Sequence, residues 1–188
     1  MIKIGITGSV SSGKTTASKI LSLRKGPLFS ADKIVQKLYT NKVFKKIISK
    51  SFKIANQKNI KKVIKNRILK KKSEIKKLEK IIHPIVRKEM FKFIKKNKRK
   101  KIIFLEIPLL IESKLMKYFD VILFIKAKRS LRLERFKAKN GDKRFFTLLD
   151  KKQMNESQKI KYCNHVIINE KNLKIFKKKL LNILSLYE

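Results

Sequence analysis

The sequence is poor in cysteine, in acidic residues and in long apolar runs. A single cysteine, Cys163, excludes an internal disulfide and any zinc site that needs several thiolates. The longest apolar stretch, 102–111, is interrupted by Glu106 and is too short for a membrane span, which needs about 20 residues. The first residues already show a strand pattern rather than a signal peptide. We therefore expect a cytoplasmic protein that does not bind membranes.

Acidic residues number 13 against 52 lysines and arginines, which gives a formal net charge of +39. Such an excess is typical of proteins that bind nucleic acid or anionic lipid. Only 8 of the 52 cations are arginine, however, and the lysines are spread from end to end. Biased composition explains this pattern better, so nucleic acid is not expected to be a functional partner. Because the charge repels copies of the chain, we expect a monomer.

Strand-like and helical patterns alternate along the chain. Apolar alternation and short apolar runs predict strands at 2–6, 27–30, 101–107, 120–125 and 165–168. Helical spacing lies between them, including one continuous helix at 145–162. The alternation predicts an α/β fold in which helices flank a parallel sheet of about five strands. The lysine-rich block 41–97 contains no strand pattern and predicts a helical insertion, in which Pro84 would begin a helix after an extended His83.

A phosphate-binding loop is the most specific motif. Residues 8–15 read Gly-Ser-Val-Ser-Ser-Gly-Lys-Thr and match G-x-x-x-x-G-K-[ST] between a predicted strand and a predicted helix. Main-chain amides of such a loop surround phosphate oxygens, and the two glycines allow close approach. Lys14 would bridge the outer phosphates, and Thr15 would offer its hydroxyl to Mg²⁺. The candidate nucleotide-binding residues are Gly8, Ser11, Ser12, Gly13, Lys14, Thr15 and Thr16.

Phosphoryl transfer also needs an acid near the acceptor hydroxyl, an acid near the metal and a basic lid. Asp32 follows the second strand and is the candidate base, although a helix N-cap would also place an aspartate there. Glu106 ends the third strand and is the candidate metal acid, the alternative being a solvent-facing carboxylate. The candidate lid residues, which ordinary basic surface would equally explain, are Arg132, Arg135, Lys139 and Arg144 around the turn at Gly141.

In order and spacing, these elements resemble the dephospho-CoA kinase family over nearly the whole chain. The family's opening strand and loop are similar to residues 5–16, and its D-A-D element is similar to residues 30–32. Its Leu-Glu and His-Pro elements are similar to residues 78–79 and 83–84, with Arg67 upstream. Further similarities are D-x-P-L-L-x-E at 106–112, a glutamine at Gln153 and, at 164–169, the D-x-V-I-x-N part of the closing A-D-x-V-I-x-N element.

The sequence departs from the family at several positions. Ser9 and Ser11 replace glycines of the loop, and Ser30, Glu106 and Asn164 each replace an aspartate. The segment 56–59 lacks the family's Gly-Asp turn and looks shortened. We expect these departures to affect substrate affinity and rate more than the reaction itself.

The resemblance implies a single P-loop kinase domain. Residues 1–40 and 99–188 would form the core, with a basic lid at about 136–150, and residues 41–98 a helical CoA-binding insertion. It also implies a reaction in which ATP, with Mg²⁺, phosphorylates the ribose 3′-hydroxyl of dephospho-CoA to give coenzyme A and ADP, the last step of coenzyme A synthesis.

The resemblance also implies roles for individual residues. It carries over Asp32 as the base, with Lys14 and Arg135 as catalytic cations, and Thr15 and Glu106 at the metal. The lid would contain Arg135, with Lys139 and Arg144 as looser matches, and the CoA site would include Asp32, His83, Pro108, Leu109 and Glu112. The alternatives are another small nucleoside or nucleotide kinase and, less favoured, a basic nucleic-acid-binding protein.

Overall fold

A computed structural model describes residues 1–23, 25–55, 59–71 and 73–188. The chain divides into two compact units, one of residues 1–30 and 96–188 and one of residues 31–95. Residues 56–58 of the shortened segment lie outside the described residues. Within the described ranges, none of the helices combines the length and the apolar character that crossing a bilayer requires.

The described part of the first unit contains five parallel strands in one sheet: β1 (Ile2–Gly8), β2 (Leu28–Ser30), β3 (Ile102–Glu106), β4 (Val121–Lys126) and β5 (His165–Ile168). Their order is β2-β3-β1-β4-β5, so the first strand of the sequence lies in the middle of the sheet. In this register Ile6 of β1 pairs with Glu106 of β3. The predicted α/β fold with five parallel strands is confirmed.

Helices cover the sheet because its strands are apolar on both faces. On one face, strand residues such as Ile4 and Phe104 form a core with Leu21 of α1 (Lys14–Ser22) and Phe176 of α9 (Leu173–Leu184). The alternate residues of β3, such as Ile103, are also buried. Burial on both faces explains why β3 and β4 show continuous apolar runs rather than alternation.

Three helices lie between β4 and β5: α6 (Arg129–Lys137), α7 (Lys143–Lys152) and α8 (Glu156–Ile160). A 3₁₀ turn at Met116–Tyr118 precedes that strand. The predicted continuous helix at 145–162 is wrong, because Gln153 adopts an extended conformation after α7. The side chain of Asn155 then caps α8 by accepting from the Ser157 amide. Local helical spacing cannot show this break, which non-local hydrogen bonds of residues 153 and 154 stabilise.

The second unit, as far as it is described, consists of helices: α2 (Ala31–Leu38), α3 (Lys42–Phe52), α4 (Ile60–Lys70) and α5 (Ser73–Lys96). Buried residues recur every fourth position, as at Phe44, Ile48 and Phe52, which is the spacing of one helical face. The guanidinium of Arg67 donates to the carbonyl oxygens of Phe52 and Lys53, which satisfies the C-terminal end of α3.

The prediction that Pro84 begins a helix is wrong, and so is the prediction of an extended His83. Both residues lie inside α5, which continues for another turn or more on either side. A proline inside a helix removes one hydrogen bond and costs about 3 kcal/mol. Buried Ile82 and Met90 lie on either side of it, and their packing favours one continuous helix over a break.

Candidate active site

The turn after β1 requires glycine at two positions. Gly8 has φ 150°, and a Cβ atom there would lie 2.3 Å from the carbonyl oxygen of Ile125. Gly13 has φ 101°, and a Cβ atom there would lie 2.1 Å from Nδ2 of Asn169. Both contacts are far closer than a carbon atom allows, so a side chain at either position would deform the loop. The two glycines of the motif therefore set the shape of the loop.

The loop leads directly into the N-terminus of α1. Gly13 is the N-cap of this helix, has no side chain with which to cap it, and is followed by a first turn without an acidic residue. The amides of that turn and the helix dipole therefore favour an anion at this end. Ser12 is buried, whereas Thr15 and Thr16 are exposed on the first turn. Ser11 has φ 56°, a left-handed conformation that is normally occupied by glycine.

The ammonium group of Lys14 lies against the loop. Its Nζ donates to the carbonyl oxygen of Ser9 over 2.7 Å, and the side chain is buried. The same Ser9 carbonyl accepts from the Ser12 amide, which closes the turn. The positive charge of Lys14 is therefore placed beside the amides that would surround a phosphate group.

Glu106 and Thr15 meet at the carboxyl end of β3. Glu106 is only 1% exposed, so the alternative of a solvent-facing carboxylate is wrong. Its Oε1 accepts from Oγ1 of Thr15 over 2.5 Å, and its Oε2 accepts from Oγ of Ser18 over 3.2 Å. The single hydroxyl hydrogen of Ser18 is shared between this carboxylate oxygen and the Thr15 carbonyl oxygen at 3.1 Å, and neither hydroxyl neutralises a buried negative charge.

This donor set suits magnesium. Mg²⁺ prefers hard oxygen ligands and is typically held by one or two protein oxygens together with nucleotide phosphates and water. A carboxylate and a hydroxyl stand side by side here, next to a loop shaped for phosphate. A cation would also balance the charge of buried Glu106. The residues present therefore fit the metal that the motif implies.

The predicted lid arginine lies beside the loop. One Nη of Arg135 donates to the main-chain oxygen of Asn169 over 3.0 Å, and Nδ2 of Asn169 donates to the Ser12 carbonyl over 2.9 Å. The other Nη is buried and has no hydrogen-bond partner among the described residues. Lys139 and Arg144 are exposed. Of the four candidate lid residues, Arg135 therefore reaches the loop through Asn169, and Arg132 contacts it at the Val10 carbonyl.

A polar network that the sequence patterns did not indicate surrounds Arg132, whose side chain is 6% exposed. Its guanidinium pairs with Oδ1 of Asp150 at 2.6 Å and with Oε1 of Glu156 at 3.6 Å, and donates to the Val10 carbonyl over 3.4 Å. The Val10 amide donates to Oε1 of Gln153 over 3.2 Å. The scarcity of acids was the available signal, since Asp150 is one of only four aspartates in the chain.

The Pro-Leu-Leu-x-Glu segment follows β3 and is fixed at both ends. Oγ1 of Thr7 donates to the carbonyl of Pro108 over 3.1 Å. At the other end, Oε1 of Glu112 lies 2.6 Å from Nζ of Lys159 and accepts from the Met154 amide over 3.2 Å. Leu109, between them, is half-buried. Glu112 therefore has protein partners, whereas the side chains of Pro108 and Leu109 remain partly accessible.

The remaining predicted residues belong to the second unit. Asp32 lies in the first turn of α2, where the helix dipole favours a negative charge, rather than at an N-cap position. His83 lines a groove of about 1060 Å³ along one face of α5, together with Pro84 and Phe91. Five lysines and Arg87 also line this groove, so an apolar surface there is combined with strong positive charge.

Comparison with known proteins relates the whole chain to one family. The family model described as dephospho-CoA kinase matches residues 2–174. A dephospho-CoA kinase of Fusobacterium nucleatum is 33% identical over 181 residues, which is 93% of each chain. A solved structure from Thermus thermophilus aligns with a TM-score of 0.80 at 25% identity, covering 100% of this chain and 98% of that one. A dephospho-CoA kinase from Campylobacter jejuni shares the fold, with a TM-score of 0.64, 21% identity, and 99% and 97% coverage.

Proposed function

This chain belongs to the dephospho-CoA kinase family, and we propose that it transfers the γ-phosphoryl group of ATP to the ribose 3′-hydroxyl of dephospho-CoA, giving coenzyme A and ADP. One observation carries the proposal at the level of the site. The glycine-shaped loop, buried Lys14 and the paired Thr15 and Glu106 stand together at the carboxyl ends of β1 and β3. In α/β sheets this edge is where ligands bind.

The loop would bind the phosphates of ATP. Main-chain amides of residues 11–16 would donate to the phosphate oxygens. The left-handed conformation of Ser11 and the absence of a side-chain cap at the start of α1 favour this arrangement. Lys14 would exchange the Ser9 carbonyl for the outer phosphates and stabilise the negative charge on the migrating group. Arg135, whose second Nη is buried without a described partner, would add a further positive charge.

Thr15 and Glu106 would hold magnesium together with the phosphates. When bound, the ion supplies positive charge that offsets the charge of the outer phosphates. The Thr15 hydroxyl and the Glu106 carboxylate are already 2.5 Å apart, so little rearrangement of protein atoms is needed. Ser18 supports the second oxygen of the carboxylate and fixes its orientation.

Asp32 would act on the acceptor. Its carboxylate would accept the proton of the ribose 3′-hydroxyl as that oxygen forms a bond to the γ-phosphorus, while the bond to the β-phosphate oxygen breaks and ADP leaves. The position of Asp32 in the first turn of α2 favours the ionised carboxylate that a base requires.

The α5 groove would bind part of dephospho-CoA. The substrate has a diphosphate, an adenine ring and an apolar pantetheine arm, and the groove offers lysines, Arg87, His83 and Phe91. Pro108 and Leu109 would add apolar contacts for the arm. Because Glu112 is bound to Lys159, we assign it the role of holding this segment rather than a direct contact with the substrate. We expect the reaction to take place in the cytoplasm.

The test is a coupled assay of ADP release with purified protein, ATP and Mg²⁺. Dephospho-CoA is compared with a panel of nucleosides and nucleotides as acceptor, and we expect turnover with dephospho-CoA alone. Turnover with a nucleoside instead would favour the alternative small kinase. No turnover with any acceptor, combined with steeply salt-dependent binding to nucleic acid, would favour the alternative nucleic-acid-binding protein.

Two variants test the assigned roles within the same assay. Lys14→Ala should abolish transfer, because the migrating charge loses its partner. Asp32→Asn should lower kcat by about 10² or more while ATP binding stays intact. Near-normal turnover of Asp32→Asn would remove the base assignment, and activity of Lys14→Ala would remove the assignment of the nucleotide site.

A further inference from the structure

The first residue after Gly8 in the loop has a partner far away in the sequence. Ser9 replaces a glycine of the dephospho-CoA kinase family, and its side chain is buried. Its Oγ donates to Oε1 of Glu156 over 2.5 Å, across 147 residues of sequence. A buried hydroxyl needs such an acceptor, and a charged acceptor makes a stronger hydrogen bond than a neutral one.

Glu156 is itself held in place. It lies at the start of α8, and its Oε1 also lies 3.6 Å from the guanidinium of Arg132. Arg132 in turn pairs with Asp150 and donates to the main-chain oxygen of Val10, the residue after Ser9. A carboxylate near a phosphate site would repel nucleotide, and the adjacent guanidinium offsets that repulsion.

Ser9 connects this network to the lysine of the loop. Its hydroxyl is bound by Glu156, while its carbonyl oxygen accepts from Nζ of Lys14 over 2.7 Å. Ser9 is therefore held at its hydroxyl by Glu156, and its carbonyl oxygen receives the Lys14 ammonium. The Ser12 amide and, through the Val10 amide, Gln153 also hold the peptide unit that carries this carbonyl, so loss of the Glu156 contact removes one restraint on Ser9 and leaves the other two.

We propose that Glu156 is a positioning residue for nucleotide binding, which acts through Ser9 on Lys14. It holds Ser9 so that the Lys14 ammonium lies beside the loop, where it would contact the outer phosphates of ATP. The proposal rests on the proposed function only in taking ATP as the ligand of the loop. It does not depend on the acceptor.

The experiment is a double-mutant cycle read by isothermal titration calorimetry with a non-hydrolysable ATP analogue and Mg²⁺. Ser9→Ala and Glu156→Ala should each weaken analogue binding about tenfold, as expected for loss of a hydrogen bond to a charged group. The double variant should bind no more weakly than the weaker single variant, because both changes remove the same interaction. Glu156→Gln should stay within about threefold of the unmodified protein, since its amide oxygen still accepts from Ser9.

A matched control separates positioning from a general structural effect. Glu170 accepts from the main-chain amide of Lys128, and the contacts described for it do not include the loop. Glu170→Ala should leave analogue binding unchanged. In steady-state assays, Glu156→Ala should raise KM for ATP and leave KM for dephospho-CoA unchanged.

Several results would overturn the proposal. The first is unchanged analogue affinity in Glu156→Ala. The second is a loss of affinity of about a hundredfold in the double variant, the product of the two single losses. The third is a loss of affinity in Glu170→Ala equal to that in Glu156→Ala. Binding and turnover of the unmodified protein distinguish a failure of this proposal from a failure of the proposed function. If this protein bound the analogue but did not phosphorylate dephospho-CoA, the proposed function would fail while the cycle could still be read.

Discussion

The ion pair between Lys159 and Glu112 allows a quantitative prediction about stability. Lys159 is 0% exposed and Glu112 is 19% exposed, and their charged atoms lie 2.6 Å apart. The contact is an ion pair rather than an aligned hydrogen bond, and Glu112 Oε2 is buried without a hydrogen-bond partner in the described chain. Removal of one partner would therefore leave the other charge buried and poorly compensated.

The expected magnitudes follow from the burial of each group. At an effective dielectric constant of about 20, the Coulomb attraction at this distance is roughly 6 kcal/mol before the cost of removing both groups from water. Breaking such a pair typically costs 3–5 kcal/mol. We expect about 3 kcal/mol for Lys159→Met, because Glu112 can partly rehydrate, and about 4 kcal/mol for Glu112→Gln, because the Lys159 ammonium cannot.

The double variant is the sharper measurement. Lys159→Met with Glu112→Gln removes both charges, and the Gln oxygen can still accept from the Met154 amide. We expect it to cost only about 1–2 kcal/mol, since a buried pair often contributes little over neutral residues of similar size. The chain has no tryptophan, so urea unfolding is best followed by circular dichroism. A cost near the sum of the single variants, or single variants below about 1 kcal/mol, would refute this reasoning.

Three further predictions concern single residues. Gly13→Ala should weaken ATP-analogue binding by at least about 10²-fold, because its Cβ would displace Asn169 and strain a φ of 101°; unchanged calorimetric affinity would contradict this. Lys53→Gly should raise the free energy of unfolding by about 1 kcal/mol, because Lys53 has φ 49° at the end of α3; a lower urea midpoint would contradict it. Burial raises the pKa of Cys163 to about 11, against the lowering effect of the Lys159 charge, so at pH 8 it should react with iodoacetamide about 10²-fold more slowly than free cysteine; comparable rates would contradict this.

The parts of the site that depend on local backbone geometry were predictable from the sequence. The loop is one contiguous motif, and its two glycines, Gly8 and Gly13, occupy positions where the structure shows that side chains cannot fit. Glu106 was identifiable because an acid at the end of a buried apolar strand is unusual. The five-stranded α/β fold followed from apolar runs alternating with helical spacing.

What escaped prediction depends on contacts between distant residues. The pairing of Ser9 with Glu156 spans 147 positions, and no local pattern indicates it. The break after α7 was not predicted because it depends on two non-local hydrogen bonds, from the Val10 amide to the Gln153 side chain and from the Met154 amide to the Glu112 carboxylate. Pro84 was misplaced for the opposite reason, since packing of the flanking apolar residues extends α5 through a residue that usually begins a helix.

The central place of β1 in the sheet has a consequence for biosynthesis. Ile4 pairs with Phe104 on one side and Val121 on the other, so β1 obtains its second neighbour only after about 117 further residues have been synthesised. At 5–20 residues per second, a ribosome needs roughly 6–23 s to deliver it. For most of that interval, until β3 has been synthesised, both edges of β1 stay unpaired, which leaves strand edges that can pair with other chains. The loop after β1, which Asn169 contacts at the Ser12 carbonyl, can be completed only after residue 169 has been synthesised.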